Sequence, residues 1–261
     1  MMPTRELRLG RSIGRRFRPV SGPAALRPRR PTVLVIAPHP DDDAIGCGGT
    51  LLRLAARGAR IAVTYVTDGS ASHLKSKCFP PAVLRVVREG EARAALRALG
   101  IRGEPQFLRA PDGGLAHVDV VERRRLVDAV MRRIAGAQVV FAPWWRDPHP
   151  DHVATAALVQ DALAVCLRRP AVYWYQVWLP VRGSAAEHPQ PDEAAVYDVR
   201  LSANDVRRKR RAIMEHRSQT GALIDDDPDG FCIDAELLAA WLTPVERFYR
   251  RKPRETGRSR P

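Results

Sequence analysis

Long hydrophobic runs are missing from this chain: nowhere do the roughly 18 consecutive apolar residues of a membrane-spanning helix occur. Aromatic residues make up only 6%, and cysteine only four positions, Cys47, Cys78, Cys166 and Cys232, with no C-x-x-C pair among them. That spacing excludes a zinc ribbon and offers no disulfide framework, so reduced thiols and a cytoplasmic location are expected. Internal repeats and coiled-coil heptads are lacking, as is any linker that would divide 261 residues into two domains. Residues 1–30 carry arginine throughout and no apolar stretch, so no secretory signal is expected there.

Acidic charge is outweighed by basic charge, 29 residues against 43, for a net +14. The excess is local. Residues 1–31 hold nine Arg and one Glu, residues 246–261 hold seven Lys or Arg and two Glu, and about +1 remains between them. Neither end interleaves aromatics with its basic residues, as a stacking surface for bases does. Specific nucleic-acid binding is therefore not expected, and weak contact with a membrane surface is the most the tails suggest. The organisation expected is a basic arm over 1–30, one folded domain over 31–250 and a basic tail over 251–261.

What is present centres on Val33 to Leu51, VLVIAPHPDDDAIGCGGTL. The run Val33–Ala37 reads as a buried parallel strand. His39 and the carboxylates Asp41, Asp42 and Asp43 follow at its carboxyl end, where open α/β sheets bind ligands. A nitrogen donor beside hard oxygens suits a divalent metal, although aspartates ahead of a helix are also ordinary caps.

Along the chain, helices are expected over 50–57, 82–99, 118–134 and 153–166, and strands over 60–66, 106–108, 138–142 and 171–179. An edge strand over 194–199 and helices over 202–217 and 235–241 complete the reading. The β-α-β-α-β-α-β order predicts an α/β, single-domain, Rossmann-like fold, its mostly parallel sheet flanked by helices. Strands one and four then lie side by side, with the active site at their carboxyl ends. The loop after the fourth strand reads Trp144-Trp145-Arg146-Asp147-Pro148-His149-Pro150-Asp151-His152, with Asp147 or Asp151 placed to cap the next helix. Two histidines and an aspartate facing His39-x-Asp41-Asp42 supply the parts of an open, catalytic type of metal site.

These segments resemble the LmbE/PIG-L family of zinc-dependent N-deacetylases: HPDDD at 39–43, GCGGT at 46–50, TDG at 67–69, HPDH at 149–152 and HRSQ at 216–219. REGEARAALRALG at 88–100 and PDGG at 111–114 also look like the family's middle segments. The resemblance implies His39, Asp42 and His152 as metal ligands, with Zn2+ the default and Fe2+ tolerated by the same donors. It implies Asp41 as general base, His149 as the acid or oxyanion stabiliser, and Asp151 as a carboxylate orienting the histidines. The family's first motif usually ends in Glu where this chain has Asp43, which implies altered local packing at a non-ligand position.

Substrate contacts are less defined. Asp68 and Asp112 at strand ends can hydrogen-bond sugar hydroxyls or simply shape turns. Arg88 can meet a substrate anion or lie on a solvated helix face, and His216 fits a supporting place behind the site. Trp144 and Trp145 can stack on a sugar or pack in the core, while His73 and the loop 72–81 can shape specificity. The expected substrate is a small-molecule or lipid-linked amino sugar of the N-acetylglucosamine type. An amidase acting on a thiol-sugar conjugate or another small amide shares the same site, and a non-catalytic basic adaptor binding nucleic acid or membrane through its tails is the competing class.

Overall fold

The structure, a computed structural model, describes residues 30–252. Strands β1 (Thr32–Ala37), β2 (Arg60–Thr67), β3 (Gln106–Ala110), β4 (Val139–Pro143), β5 (Ala171–Tyr175), β6 (Ala194–Arg200) and β7 (Val245–Arg251) form one sheet ordered β3-β2-β1-β4-β5-β7-β6. The first five run parallel, while β7 pairs antiparallel with both β5 and β6. Helices α1 (Asp42–Ala56), α2 (Pro81–Ala98), α3 (Val120–Ile134), α4 (Pro150–Val165), α5 (Leu179–Arg182), α6 (Ala203–Met214) and α7 (Ala235–Trp241) cover its faces. The expected α/β fold and the adjacency of strands one and four are both present.

A central parallel strand is buried on both faces, and β1 shows why its sequence is apolar throughout. Val33, Val35 and Ala37 enter the core that includes Leu51 of α1, Leu96 of α2 and Ile213 of α6. Leu34 and Ile36 enter the opposite core with Leu126 of α3 and Leu158 of α4. Among the described residues no helix is long and apolar enough to cross a membrane.

Three expectations change. The first helix begins at Asp42, not Thr50, because the glycine-rich run lies inside it. A Cβ on Gly46 would stand 2.3 Å from Tyr175 Cδ2, and one on Gly49 would stand 2.5 Å from Leu201 Cδ1. The glycines therefore let α1 approach its neighbours and do not break it. The fifth strand ends at Tyr175, after which Leu179–Arg182 forms one helical turn.

Residues 245–251 had no predicted strand, and their charge was assigned to an end of the chain; they form β7, paired with β6 as far as Arg251. Its arginines are exposed, Arg247 pairing with Asp198 at 2.7 Å, and they mask the two buried aromatics of the strand, Phe248 in one core and Tyr249 in the other. Lys252 N–H donates to Glu193 O, so the ordered unit passes the expected boundary at 250. The arm over 1–30 and the tail over 251–261 otherwise lie outside the described residues.

Glu246 of β7 points inward. It accepts from Gly49 N, Thr50 N and Thr50 Oγ1 of α1 at 2.8, 2.7 and 2.6 Å, and pairs with Lys209 Nζ of α6 at 2.9 Å. Three elements distant in sequence are thus tied behind the helix that opens at Asp42.

Candidate metal centre and active-site cleft

Parallel pairing of β1 with β4 brings the loops after Ala37 and Pro143 to one sheet edge. Asp42 opens α1 there, and its Oδ2 lies 3.1 Å from His39 Nδ1 and 3.2 Å from His152 Nε2. His39 N–H donates to the same oxygen at 2.9 Å, which fixes the carboxylate between the two rings. His39, His149 and His152 offer ring nitrogens within 4.8 Å of one another.

The second loop is organised differently from the expected cap. His149, not Asp147 or Asp151, is the N-cap of α4, its Nδ1 accepting from Asp151 N–H at 3.2 Å. That assignment puts the proton of neutral His149 on Nε2. Asp151 accepts from Gly113 N and Leu115 N at 2.8 and 3.2 Å and meets His39 Nε2 at 3.2 Å. Asp147 accepts from Val177, Trp178 and Leu179 N–H groups at 2.8, 3.0 and 3.1 Å, and stands 3.0 Å from His152 Nδ1.

The charges sort by environment. Burial opposes protonation of His39, but Asp112, Asp151 and Asp42 outweigh it and hold its pKa well above the ordinary value. The same contest at His152, burial against Asp42 and Asp147, ends at about 9. Burial alone would raise Asp42; His152 and His39 hold it well below the carboxylate range. His149 goes the other way, lowered to about 4 by burial and by the two neighbouring histidines. That direction favours the neutral ring. Asp41 is raised by burial, against the pull of Arg88.

These side chains open on a cleft of about 460 Å³. His39, Asp41, Asp42, His149, Arg88 and Asp112 all line it. Asp112 Oδ1 reaches His39 Nε2 at 3.2 Å, and its other oxygen accepts from Ala71 N. Arg88 does not lie on a solvated face: it is 3% exposed and bonded to Asp41 Oδ2 and Gly69 O, each at 2.9 Å. Asp68 is not brought in; it accepts from Ser70 N within the turn. His216 is buried behind the site with both ring nitrogens unpartnered.

Asp43 turns away from the donor set and accepts from Tyr65 OH at 3.0 Å, with burial pushing its pKa up to about 7. Trp144 packs against Trp145 and Tyr249 in the core. The aromatic wall of the cleft comes instead from Trp178, Phe231 and Trp241, which sequence reasoning did not assign. His73 is buried and packs closely on Gly230, while its neighbour Ser72 lines the cleft.

A divalent metal fits the residues present. Both ring nitrogens of fully buried His152 lack an aligned hydrogen bond, although one faces Asp42 and the other Asp147. A carboxylate behind a histidine donor is the usual support of a ligating imidazole. Two imidazoles and one carboxylate form a donor set common to zinc and ferrous sites.

Fold and site together define an α/β protein with a histidine–aspartate donor set at the carboxyl edge of its parallel strands. Residues 34–163 match the family PIG-L, described as GlcNAc-PI de-N-acetylase. The 1D-myo-inositol 2-acetamido-2-deoxy-alpha-D-glucopyranoside deacetylase of Mycobacterium bovis (strain BCG / Pasteur 1173P2) is 34% identical over an alignment of 145 positions that covers 47% of this chain and 48% of that protein. This chain thus spans about half the length of the curated relatives it matches. The conserved protein TT1542 from Thermus thermophilus superposes with a TM-score of 0.53 at 33% identity, covering 72% of this chain and 80% of that one. N,N'-diacetylchitobiose deacetylase from Pyrococcus horikoshii superposes at 0.58 with 24% identity, covering 76% and 73%. The chain belongs to the PIG-L (LmbE-like) deacetylase family.

Proposed function

We propose that this protein is a metal-dependent hydrolase that removes the N-acetyl group from an N-acetylglucosamine-type glycoconjugate. The observation that carries the reading is the convergence of His39 Nδ1 and His152 Nε2 on Asp42 Oδ2, in a cleft that Asp41 and His149 also line. His39, Asp42 and His152 would hold the metal, zinc by default and ferrous iron as the alternative. A bound divalent cation would acidify water and polarise the acetyl carbonyl.

The remaining chemistry belongs to this chain's own groups. Asp41, buried and raised in pKa, accepts a proton from the attacking water. The water oxygen bonds to the acetyl carbon, and the C–N bond breaks as that proton passes to the departing amine. His149 enters neutral, so its Nε2–H serves as hydrogen-bond donor to the developing oxyanion. Asp151 holds His39 from behind, and Asp147 holds His152. Acetate and the free amino sugar are the products.

Asp112 and Arg88 line the cleft with polar atoms and are assigned to sugar contacts, Arg88 chiefly through Asp41. His216 supports the site from behind. Residues 31–252 serve as one catalytic unit acting on a small-molecule or lipid-linked amino sugar.

The test is acetate release from a panel of N-acetylglucosaminides by metal-free protein, with zinc or ferrous iron added back and Asp41→Asn run alongside. Metal-dependent release that disappears in the variant is expected. Metal binding without release from any substrate would overturn the deacetylase reading.

A further inference from the structure

The parallel strands begin in one row: Arg60 N donates to Pro31 O, Gln138 N to Thr32 O and Ala171 N to Gln138 O. This edge lies opposite the cleft, and helices α1 to α4 all end at it. Arginine gathers there, Arg57 and Arg60 before β2, Arg102 before β3, Arg132 and Arg133 before β4, and Arg168 and Arg169 before β5. Arg60 and Arg102 line one hollow on the edge, and Arg60, Arg132 and Arg133 line another, with no carboxylate in either. Glu104, the only carboxylate in these four connections, is taken by Arg93 at 3.1 Å. The charge changes only at the outermost strand, where Asp192 and Glu193 precede β6 and Glu193 is taken by Arg146 at 2.6 Å.

Helix dipoles favour cations at helix C-termini, which accounts for part of this charge. They do not account for apolar side chains among the cations. Leu167 is 100% exposed and Val165 66%, beside Arg168 and Arg169 in the connection from α4 to β5. Both ends of the described residues also reach this edge: Arg30 leads into β1, and Lys252 follows β7, which runs antiparallel to β5. Residues 1–29 add eight Arg against one Glu, and residues 253–261 add three Arg against one Glu.

We propose that this edge docks on an anionic lipid surface, Leu167 entering the headgroup layer while the arginines meet the lipid anions. Apolar residues set among cations are the composition such an interface takes. Nucleic acid matches the charge but not Leu167, and among the described residues no aromatic side chain is exposed to stack on a base. Docked in this way, the protein opens its cleft away from the lipid, towards the water.

The experiment is flotation of the full chain with vesicles of phosphatidylcholine alone or with phosphatidylserine added, alongside titration with double-stranded RNA. Wild type is compared with Arg132→Glu/Arg168→Glu and with Leu167→Ser, all at exposed positions, and circular dichroism reports their folding. Wild type is expected to float with the anionic vesicles and not the neutral ones, and to be released as salt rises. The charge variant should bind anionic vesicles about tenfold more weakly or worse. Leu167→Ser should weaken vesicle binding by about fivefold and leave RNA binding unaltered.

Vesicle binding that either folded variant leaves unchanged overturns the edge as the docking surface and assigns the affinity to residues outside it. Equal flotation with neutral vesicles, or none with either kind, overturns the proposal outright. Binding to RNA alone, lost in the charge variant and kept in Leu167→Ser, would make the partner nucleic acid instead. If the charge variant does not fold, Leu167→Ser together with the lipid and salt dependence of wild type decides. None of these readouts depends on acetate release.

Discussion

Arg88 Nη2 stands 2.9 Å from Asp41 Oδ2, with the two side chains only 3% and 7% exposed. The guanidinium also donates to Gly69 O at 2.9 Å. Gly69 has φ of +67°, and a Cβ there would stand 2.9 Å from Arg88 Cζ. The proposed base therefore sits beside a fixed positive charge and not in an apolar pocket.

Removing that charge strands a buried carboxylate. Arg88→Met is expected to lose about 3–5 kcal/mol of stability in urea denaturation, with Arg88→Lys recovering part of it. A Met variant with the wild-type midpoint would mean that the pair contributes nothing to the folded state.

Asp147 is expected to govern metal affinity through His152. Replacing it with Asn weakens the acceptor facing His152 Nδ1 and should lower zinc affinity by about 10–100-fold, read by competition with a chromogenic chelator. Unchanged affinity would remove His152 from the donor set.

His216 gives a pH signature. Burial, reinforced by the charge of Arg88, lowers its pKa to about 3, while an unfolded histidine titrates near 6.5. Between those values the unfolded chain binds the proton and the folded one does not, so stability falls as pH drops from about 6.5 towards 3. The slope from this one group approaches about 1.4 kcal/mol per pH unit. His216→Leu should flatten the dependence of the urea midpoint between pH 7 and 5; the wild-type slope in the variant would assign the effect elsewhere.

Lys209 and Glu246 are each only 2% exposed in their side chains. Either Lys209→Met or Glu246→Gln alone leaves a buried charge and should cost about 3–5 kcal/mol. The double variant should cost less than the two losses added, and simple additivity would show that the pair is not coupled.

Legibility in the sequence followed locality. The strand of Val33–Ala37, the donors at 39–42 and the HPDH segment are contiguous patterns, and the alternation of strands with helices predicted which loops would meet. Asp147 looked like a cap because nothing local reveals that its partners are the amides of 177–179. For Arg88 the arginine-rich helix leaves a solvated face and a substrate anion both open, and only the tertiary contact with Asp41 reveals its burial. The strand at 245–251 was masked by exposed arginines. The aromatic wall draws on residues 178, 231 and 241, which no sequence window contains together.

The grip of Glu246 on α1 has a temporal side. Its hydrogen bonds to Gly49 and Thr50 span 197 and 196 positions. During synthesis, which proceeds from the N-terminus, the helix bearing Asp42 emerges early, yet two of its amides wait for a carboxylate made nearly 200 residues later. The helix that opens at Asp42 gains this backing only after β7 has left the ribosome, so an unfinished chain carries the same aspartates on a helix not yet tied at Gly49 and Thr50.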